Sequence, residues 1–475
     1  MSDQTPSIEL RSVELFERPV TLRLPFKFGA VTLTATPQLF VRAQVVCNGV
    51  EETGVAAELL APKWFDKNPD LSNEDNFEQL RTSMRLAAKR YQEAGSFPSA
   101  FALHAASQAG HFAACAKRGL NGLIASYGTA LMDRAVLDAL CRSQGVSVFQ
   151  AVQNNLPGID ATTTPDLYGV DIASHLKTLS VPERIAIRHT VGMADAIVET
   201  DLTKRINDGL PESLEAVIAM YGQRYFKLKV SGDTQADIDR LSRIAALLDG
   251  SGAPYQVSLD GNEQFADADA VVDWIDAVEN TPQLAKLWAA TLYLEQPIAR
   301  AKALEKPVHA IAAHKPVAVD ESDSHIGIFP VARALGYRGM SSKSCKGFYK
   351  AILNAVRVRH WNASEGRHDY FMIAEDLTTM PGISSQQDFA LAALIGATHV
   401  ERNGYHYVHG FGEAPLSEQQ RYAAAHEDLY STDTDGRVRL RIEDGSVSLK
   451  SLSVPGLAVA THPDWESLSR LTDSL

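Results

Sequence analysis

The segment RYFKLKVSGD, from Arg224 to Asp233, sets Lys227 and Lys229 on either side of a single leucine. Successive side chains of a strand alternate faces, so the two ammonium groups share one side and Phe226, Leu228 and Val230 share the other. If the apolar set packs against helices, both lysines point into whatever the sheet encloses. Like charges about 7 Å apart on one face repel, and a fold that keeps both needs anions close by. Candidate anions end the next apolar runs: Asp260 in VSLDGN, Glu295 in LYLEQP, Asp320 and Glu321 in PVAVDES. The run after these, SSKSCK, brings cations back as Lys343 and Lys346.

Three carboxylates converging on one point repel unless they are protonated or bridged by a cation. Hard oxygen ligands without Cys or His suit Mg²⁺, one ion per site, with Mn²⁺ as an alternative. Such a site polarises a substrate carboxylate and stabilises the dianion formed when its α-proton leaves. A lysine on either side offers a base on one face of the carbon and an acid on the other. Cationic neighbours, Lys227 and the metal among them, favour the neutral amine that Lys229 needs to act as a base.

The elements that carry these residues follow a rhythm. From about Ile185 the strand candidates IAIRHTVG, YFKLKVSG, YQVSLDGN, LYLEQPI, PVAVDES, GMSSKSC, DYFMIAED and ATHVERN recur, separated by amphipathic stretches such as DIDRLSRIAALLDG and DAVVDWIDAVEN. This alternation predicts a parallel sheet with crossover helices. About eight units in roughly 230 residues predict a (β/α)8-type barrel over residues 180–412. The C-terminal strand ends of a barrel form the mouth where active sites are built, so five consecutive strands present lysine, acid, acid, acid, lysine.

Residues 1–150 read as an α+β segment. IELRSVELFERPVTL alternates, LFVRAQVVCNG ends in an Asn-Gly turn signal, and residues 73–94 and 99–142 carry helical periodicity. Residues 413–475 form a tail in which GRVRLRIEDGSVSL alternates like a hairpin turning at Asp444-Gly445. The tail is expected to return to the N-terminal domain.

The ordered set FKLK, LDGN, LEQP, VDES and SSKSCKG resembles the enolase superfamily, and within it the muconate lactonizing enzyme-like subgroup (the mandelate racemase/muconate lactonizing enzyme family). The resemblance covers most of the chain. It implies a modified TIM barrel under an N-terminal α+β capping domain that the C-terminal tail completes. It implies Lys229 and Lys343 as the acid/base pair, Asp260, Glu295 and Asp320 as metal ligands, and Lys227, Asn262, Glu321 and Lys346 as supporting groups. Loops of the cap, around Phe28 in PFKFG and Trp64 in PKWFD, are expected to close over the substrate; the bland reading is that these are core aromatics. Glu375 and Asp376, at the end of the seventh strand, are read either as substrate contacts or as caps of the following helix.

The chain also departs from that pattern. SCKGFYK stands where a Gly-Gly pair usually follows the second lysine. The seventh strand ends in Glu375-Asp376 instead of the histidine of mandelate racemase-like members, and HVERNGY lacks the Asp-x-Asp that holds an α-ammonium in dipeptide epimerases. The expected reaction is Mg-dependent abstraction of a proton α to a carboxylate through an enediolate, in a racemase, epimerase or cycloisomerase. An acid-sugar dehydratase or syn-eliminating lyase is the alternative. A non-catalytic binding barrel is the rival of another class; its mark would be loss of a lysine or a metal ligand, and none is missing.

The totals agree with this frame. Of 475 residues, 45% are apolar and 22% charged, ordinary for a globular chain. A net charge of −13 argues against nucleic acid or an anionic membrane as partner, though not against a small anionic carboxylate. The start, MSDQTPSIEL, has no apolar core of a signal peptide, and no apolar run approaches a membrane span. The four cysteines (Cys47, Cys115, Cys141, Cys345) lack CxxC pairing and are expected as reduced thiols. A cytoplasmic protein, able to form a homo-oligomer as relatives do, is the expectation. No dinucleotide fingerprint, P-loop, HExxH or GxSxG motif is present.

Overall fold

The computed structural model describes residues 5–28 and 31–471. Its first part is an antiparallel sheet of β1 (Ile8–Phe28), β2 (Val31–Cys47) and β3 (Val50–Leu59), with β4 (Ser96–Phe97) pairing to β1. Asn48 and Gly49, at φ 48° and 84°, make the tight turn between β2 and β3 that the Asn-Gly signal announces. Three helices cover this sheet: α1 (Asn73–Glu93), α2 (Ala100–Ala116) and α3 (Gly122–Ser143). Ser72 and Asp75 form a capping box at the start of α1, and the Asn121 side chain caps α3 by accepting from the Ile124 N–H. The periodic stretch 99–142 is thus two helices; residues 117–121, with Gly119 at φ 72°, break it.

Eight parallel strands follow: β5 (Arg184–Val191), β6 (Tyr225–Lys229), β7 (Gln256–Asp260), β8 (Thr291–Glu295), β9 (Val317–Val319), β10 (Gly339–Ser342), β11 (Phe371–Ala374) and β12 (His399–Arg402). Each pairs with the next, and β12 pairs back to β5 through His399–Ala186 and Arg402–His189, which closes a barrel. Outward-facing Phe226, Leu228 and Leu259 pack with Leu241, Ile244 and Trp274 of the surrounding helices. Alternation therefore leaves Lys227 and Lys229 inside, as the apolar face of their strand requires. On the other flank the apolar core of the cap runs unbroken into the barrel helices through Phe348, Ile352 and Ile383.

The tail differs from the expected hairpin. Asp444 and Gly445, at φ 48° and 67°, do form a tight turn, and Glu443 bridges Ser446, but the two arms separate beyond it. β14 (Val438–Leu440) pairs with β13 (Tyr430–Thr432), while β15 (Ser446–Ser448) lies antiparallel on barrel strand β5. The barrel edge offers more apolar contact to Val447 than a free two-stranded ribbon would. Further on, β16 (Ser469–Arg470) pairs with β1.

Sheet and helices in the cap meet most closely at Gly54, on β3. A Cβ built there would lie 1.8 Å from the Ala135 carbonyl oxygen of α3 and 2.9 Å from the Ala139 nitrogen, both backbone atoms. Gly54→Ala is expected to push α3 off the sheet and cost about 1–3 kcal/mol, read as a lower midpoint in denaturant unfolding.

Candidate active site

Strands β6, β7 and β8 end in Lys229, Asp260 and Glu295, and the register aligns them. Lys227 stands opposite Thr190, Lys229 opposite Asp260, and Asp260 opposite Glu295. Lys227 is 2% exposed. Its Nζ lies 2.8 Å from Glu295, 2.9 Å from Asp260 and 3.1 Å from Glu401, and it also donates to Glu375. Burial opposes this charge, yet the Asp260, Glu295, Glu375 and Glu401 carboxylates hold the ammonium well above the ordinary lysine range.

The other two lysines reach the same space from opposite walls. Lys229 donates to Asp260 and to the Asn262 side-chain oxygen, each at 2.5 Å. Lys343 sits 2.8 and 2.9 Å from the two oxygens of Asp320 and 3.6 Å from Glu375, with its Nζ 5.0 Å from the Trp64 ring centre. Burial works against the Lys343 charge, and the Asp320 and Glu375 carboxylates more than offset it. Lys346 lies 3.1 Å from Asp320 and 3.4 Å from Asp323.

Asp260, Glu295 and Asp320 occupy three adjacent strand ends and are fully buried. Burial opposes ionisation of Asp260 and Asp320, but their lysine partners keep both carboxyls below the usual range. Glu295 behaves differently: burial first, then the Asp260 and Glu375 carboxylates, push it well above that range. Its Oε2 is buried with no hydrogen-bond partner among the described residues. An all-carboxylate, water-excluded set with an orphaned oxygen suits a hard divalent cation. Among the described residues these three acids do not bring one oxygen each within 4.8 Å of one another; the Lys227 ammonium bridges Asp260 and Glu295 instead.

Supporting residues complete the mouth. Asn262, at φ 43°, accepts from Lys229 and donates to Glu321 at 2.9 Å. Burial, with Asp320 beside it, raises the Glu321 carboxyl. Asp376 accepts from the backbone N–H groups of Thr379 and Asn403, each at 2.6 Å, so its charge ties the seventh and eighth loops together. Glu375 is paired with Arg188, Lys227 and Lys343 beneath the mouth. A cavity of about 50 Å³ remains, lined by Lys227, Lys229, Asn262, Asp320, Lys343, Asp376 and Glu401 on the barrel side. Phe26, Leu33, Ala61 and Trp64 close it from the cap. Phe28 ends β1, and its side chain lies outside the described residues.

Several partners were not marked by motif. Glu401 accepts from Lys227 and from Thr190 at 2.5 Å; its place at the end of the last strand, matching the other strand-end acids, is a signal the sequence did contain. Arg188 shares the inward face of IAIRHTV by simple alternation. Lys67 and Arg300 had no such signal. Lys67 pairs with Glu263 and lies 3.8 Å from Glu321, while Arg300 holds Glu263 and donates to the Trp64 and Phe65 carbonyls at 2.9 and 3.1 Å. Together they clamp the cap loop onto the barrel rim.

Burial, helped by Glu401, raises the Asp376 carboxyl to about 7 against the pull of Arg402. The unfolded chain releases this proton near pH 4, so the folded state binds it more tightly and the contribution favours folding below about pH 4, fading as pH rises to 7. Asp376→Asn is expected to make the fall of unfolding free energy between about pH 5 and 6 shallower by about 1.4 kcal/mol per pH unit, one proton's worth. Denaturant titrations at several pH values measure it.

No protein-family model and no curated protein matches the sequence. Solved structures do match across nearly the whole chain. A muconate lactonizing enzyme from Mucobacterium Smegmatis, complexed with muconolactone, aligns at TM-score 0.60 and 17% identity over 96% of this chain and 98% of its own. An enolase from Bradyrhizobium complexed with magnesium and mandelic acid aligns at 0.59 and 15%, over 96% of each chain. A member of the enolase superfamily from Roseovarius nubinhibens ISM, complexed with magnesium, aligns at 0.58 and 16%, over 97% of each chain. With its closed eight-stranded barrel and antiparallel cap, the chain has the fold of the muconate lactonizing enzyme and related enolase-superfamily structures.

Proposed function

We propose that this chain is an enolase-superfamily enzyme that removes a proton α to a carboxylate, as a racemase, epimerase or cycloisomerase. The observation that carries this reading is the placement of Lys229 and Lys343. Lys229 ends β6 and Lys343 follows β10, and in the closed barrel three strands separate these on either side, so the two amines line one cavity from opposite walls. Each is tied to a different candidate metal ligand, Asp260 or Asp320.

Asp260, Glu295 and Asp320 would hold Mg²⁺. When bound, the ion supplies positive charge against which a substrate carboxylate can take up negative charge. The chain's own residues do the rest. The neutral amine of one lysine takes the α-proton: the C–H bond breaks, an N–H bond forms, and the electron pair passes into the carboxylate as an enediolate. In a racemase the ammonium of the opposite lysine returns a proton to the other face. In a cycloisomerase one lysine transfers the proton and the other remains a fixed charge. Lys227 stays protonated and balances the acids beneath. Asn262 orients Lys229, and Trp64 with Phe26 keeps water from the reacting carbon. Mg²⁺ dependence is supported by the donor chemistry and by magnesium in two structures of similar fold.

Proton NMR in D₂O of a pooled carboxylic-acid library, with and without Mg²⁺, tests the reading. Loss of an α-proton signal only with protein and Mg²⁺ is expected. Lys229→Ala and Lys343→Ala should each lower two-base turnover by at least about 10²-fold. Glu295→Gln should weaken Mg²⁺ binding in calorimetry, and full turnover without added metal, or unchanged metal affinity in that variant, counts against the proposal.

A further inference from the structure

The residue after Lys343 is gripped by the cap. Ser344 opens a one-turn helix, Ser344–Lys346, closed by the Lys346 N–H to the Lys343 carbonyl at 2.9 Å and the Gly347 N–H to the Ser344 carbonyl at 3.3 Å. Gly347 leaves the turn at φ 121°, a conformation that favours glycine. The Ser344 hydroxyl donates to Glu58 Oε2 at 2.9 Å, and its backbone N–H donates to Asp388 Oδ1 at 3.0 Å. Asp388 belongs to the barrel helix Ile383–Leu394 and pairs with Arg402 at 2.6 Å. Glu58 belongs to cap strand β3 and is fully buried.

Glu58 is itself fixed from inside the cap. Arg134 of α3, also fully buried, lies 3.2 Å from the same Oε2 and reaches the Gln387 side-chain oxygen at 3.3 Å. Gln387 in turn donates to the Val55 carbonyl of β3 at 2.8 Å. A buried carboxylate bonded to a guanidinium and a hydroxyl is strongly directional, and its other oxygen, Oε1, has no partner that could compete. Burial lifts this carboxyl to about 7, against the pull of Arg134.

The turn so held carries Lys343 at one end and Lys346 at the other, both on Asp320. The barrel helix holds the backbone of this turn through Asp388, and the cap holds its side chain through Glu58. We propose that Glu58, locked by Arg134, is a positioning residue for Lys343, acting through the Ser344 hydroxyl, so that docking of the cap aims this lysine at the cavity. The inference rests on the acid/base reading of Lys343, and its test does not need a substrate.

The test is competitive acylation of lysines in the folded, full-length protein with acetic anhydride, each site quantified by mass spectrometry. Lys229 is the internal reference. Ser344→Ala and Glu58→Gln are expected to change Lys343 labelling relative to Lys229 by about tenfold, the factor matching one charge-assisted hydrogen bond. Ser344→Thr, which keeps the hydroxyl, should restore it. If Glu58→Gln does not fold, Ser344→Ala decides alone. A Lys343-to-Lys229 ratio within about twofold of the native protein in folded Ser344→Ala overturns the proposal. A shifted ratio with no α-proton exchange in any carboxylate would uphold the positioning role and remove the proposed reaction, so the two failures are distinct.

Discussion

Lys227 is buried among four carboxylates, Asp260, Glu295, Glu375 and Glu401. That cation is what allows so many acids to sit in one barrel. Asp260, Glu295, Glu375 and Glu401 come from four different strands, and without a central positive charge their mutual repulsion in a low-dielectric interior would be severe. Such a network contributes little net stability, because burying its members costs about as much solvation as their pairing returns. The constraint propagates outward: a central ammonium needs a strand whose other face is fully apolar, which is why Phe226 and Leu228 meet helix residues on every side.

The cap adds a second constraint. Its loop around Trp64 to Lys67 is held by Arg300 and Glu263 on the barrel, and its strand end at Glu58 is held by Ser344. The cavity left between them, about 50 Å³, holds a few water molecules at most. A substrate of several heavy atoms therefore requires the Trp64 loop to part from the rim. The contacts that hold it there are the ion pair of Lys67, 36% exposed, with Glu263, and the packing of buried Trp64 and Phe65 into the apolar core of the cap.

Much of this was legible in the sequence. Alternation around Lys227 and Lys229, and an acid at each following strand end, carried the barrel and its mouth, and all eight strand candidates appear as strands. What stayed hidden had physical causes. β3, VEETGVAAEL, has small residues where α3 presses close, so no apolar alternation advertises it. The arms after Asp444-Gly445 chose separate partners because a turn motif fixes local twist but says nothing of which edge is free. Glu58, Arg134, Lys67 and Arg300 lie far in sequence from the groups they hold, from 37 positions for Arg300 and Glu263 to 286 for Glu58 and Ser344, and no local spacing pairs such residues.

The last strand of the molecule also sets an order of events. β16 pairs with β1 across more than four hundred residues, and β15 joins the first barrel strand. During synthesis the part of the β1 edge that β16 covers, at Phe16 and Glu17, stays unpaired until residues 469–470 have emerged. Contacts of such sequence separation form slowly. The barrel can gather its strands in order, but the cap cannot complete its sheet until the end of the chain arrives. The pairing of Phe16 and Glu17 with β16 is accordingly the final part of the cap sheet to be made, whereas the cap–barrel contacts of Glu58 and Arg134 involve only residues that emerge earlier.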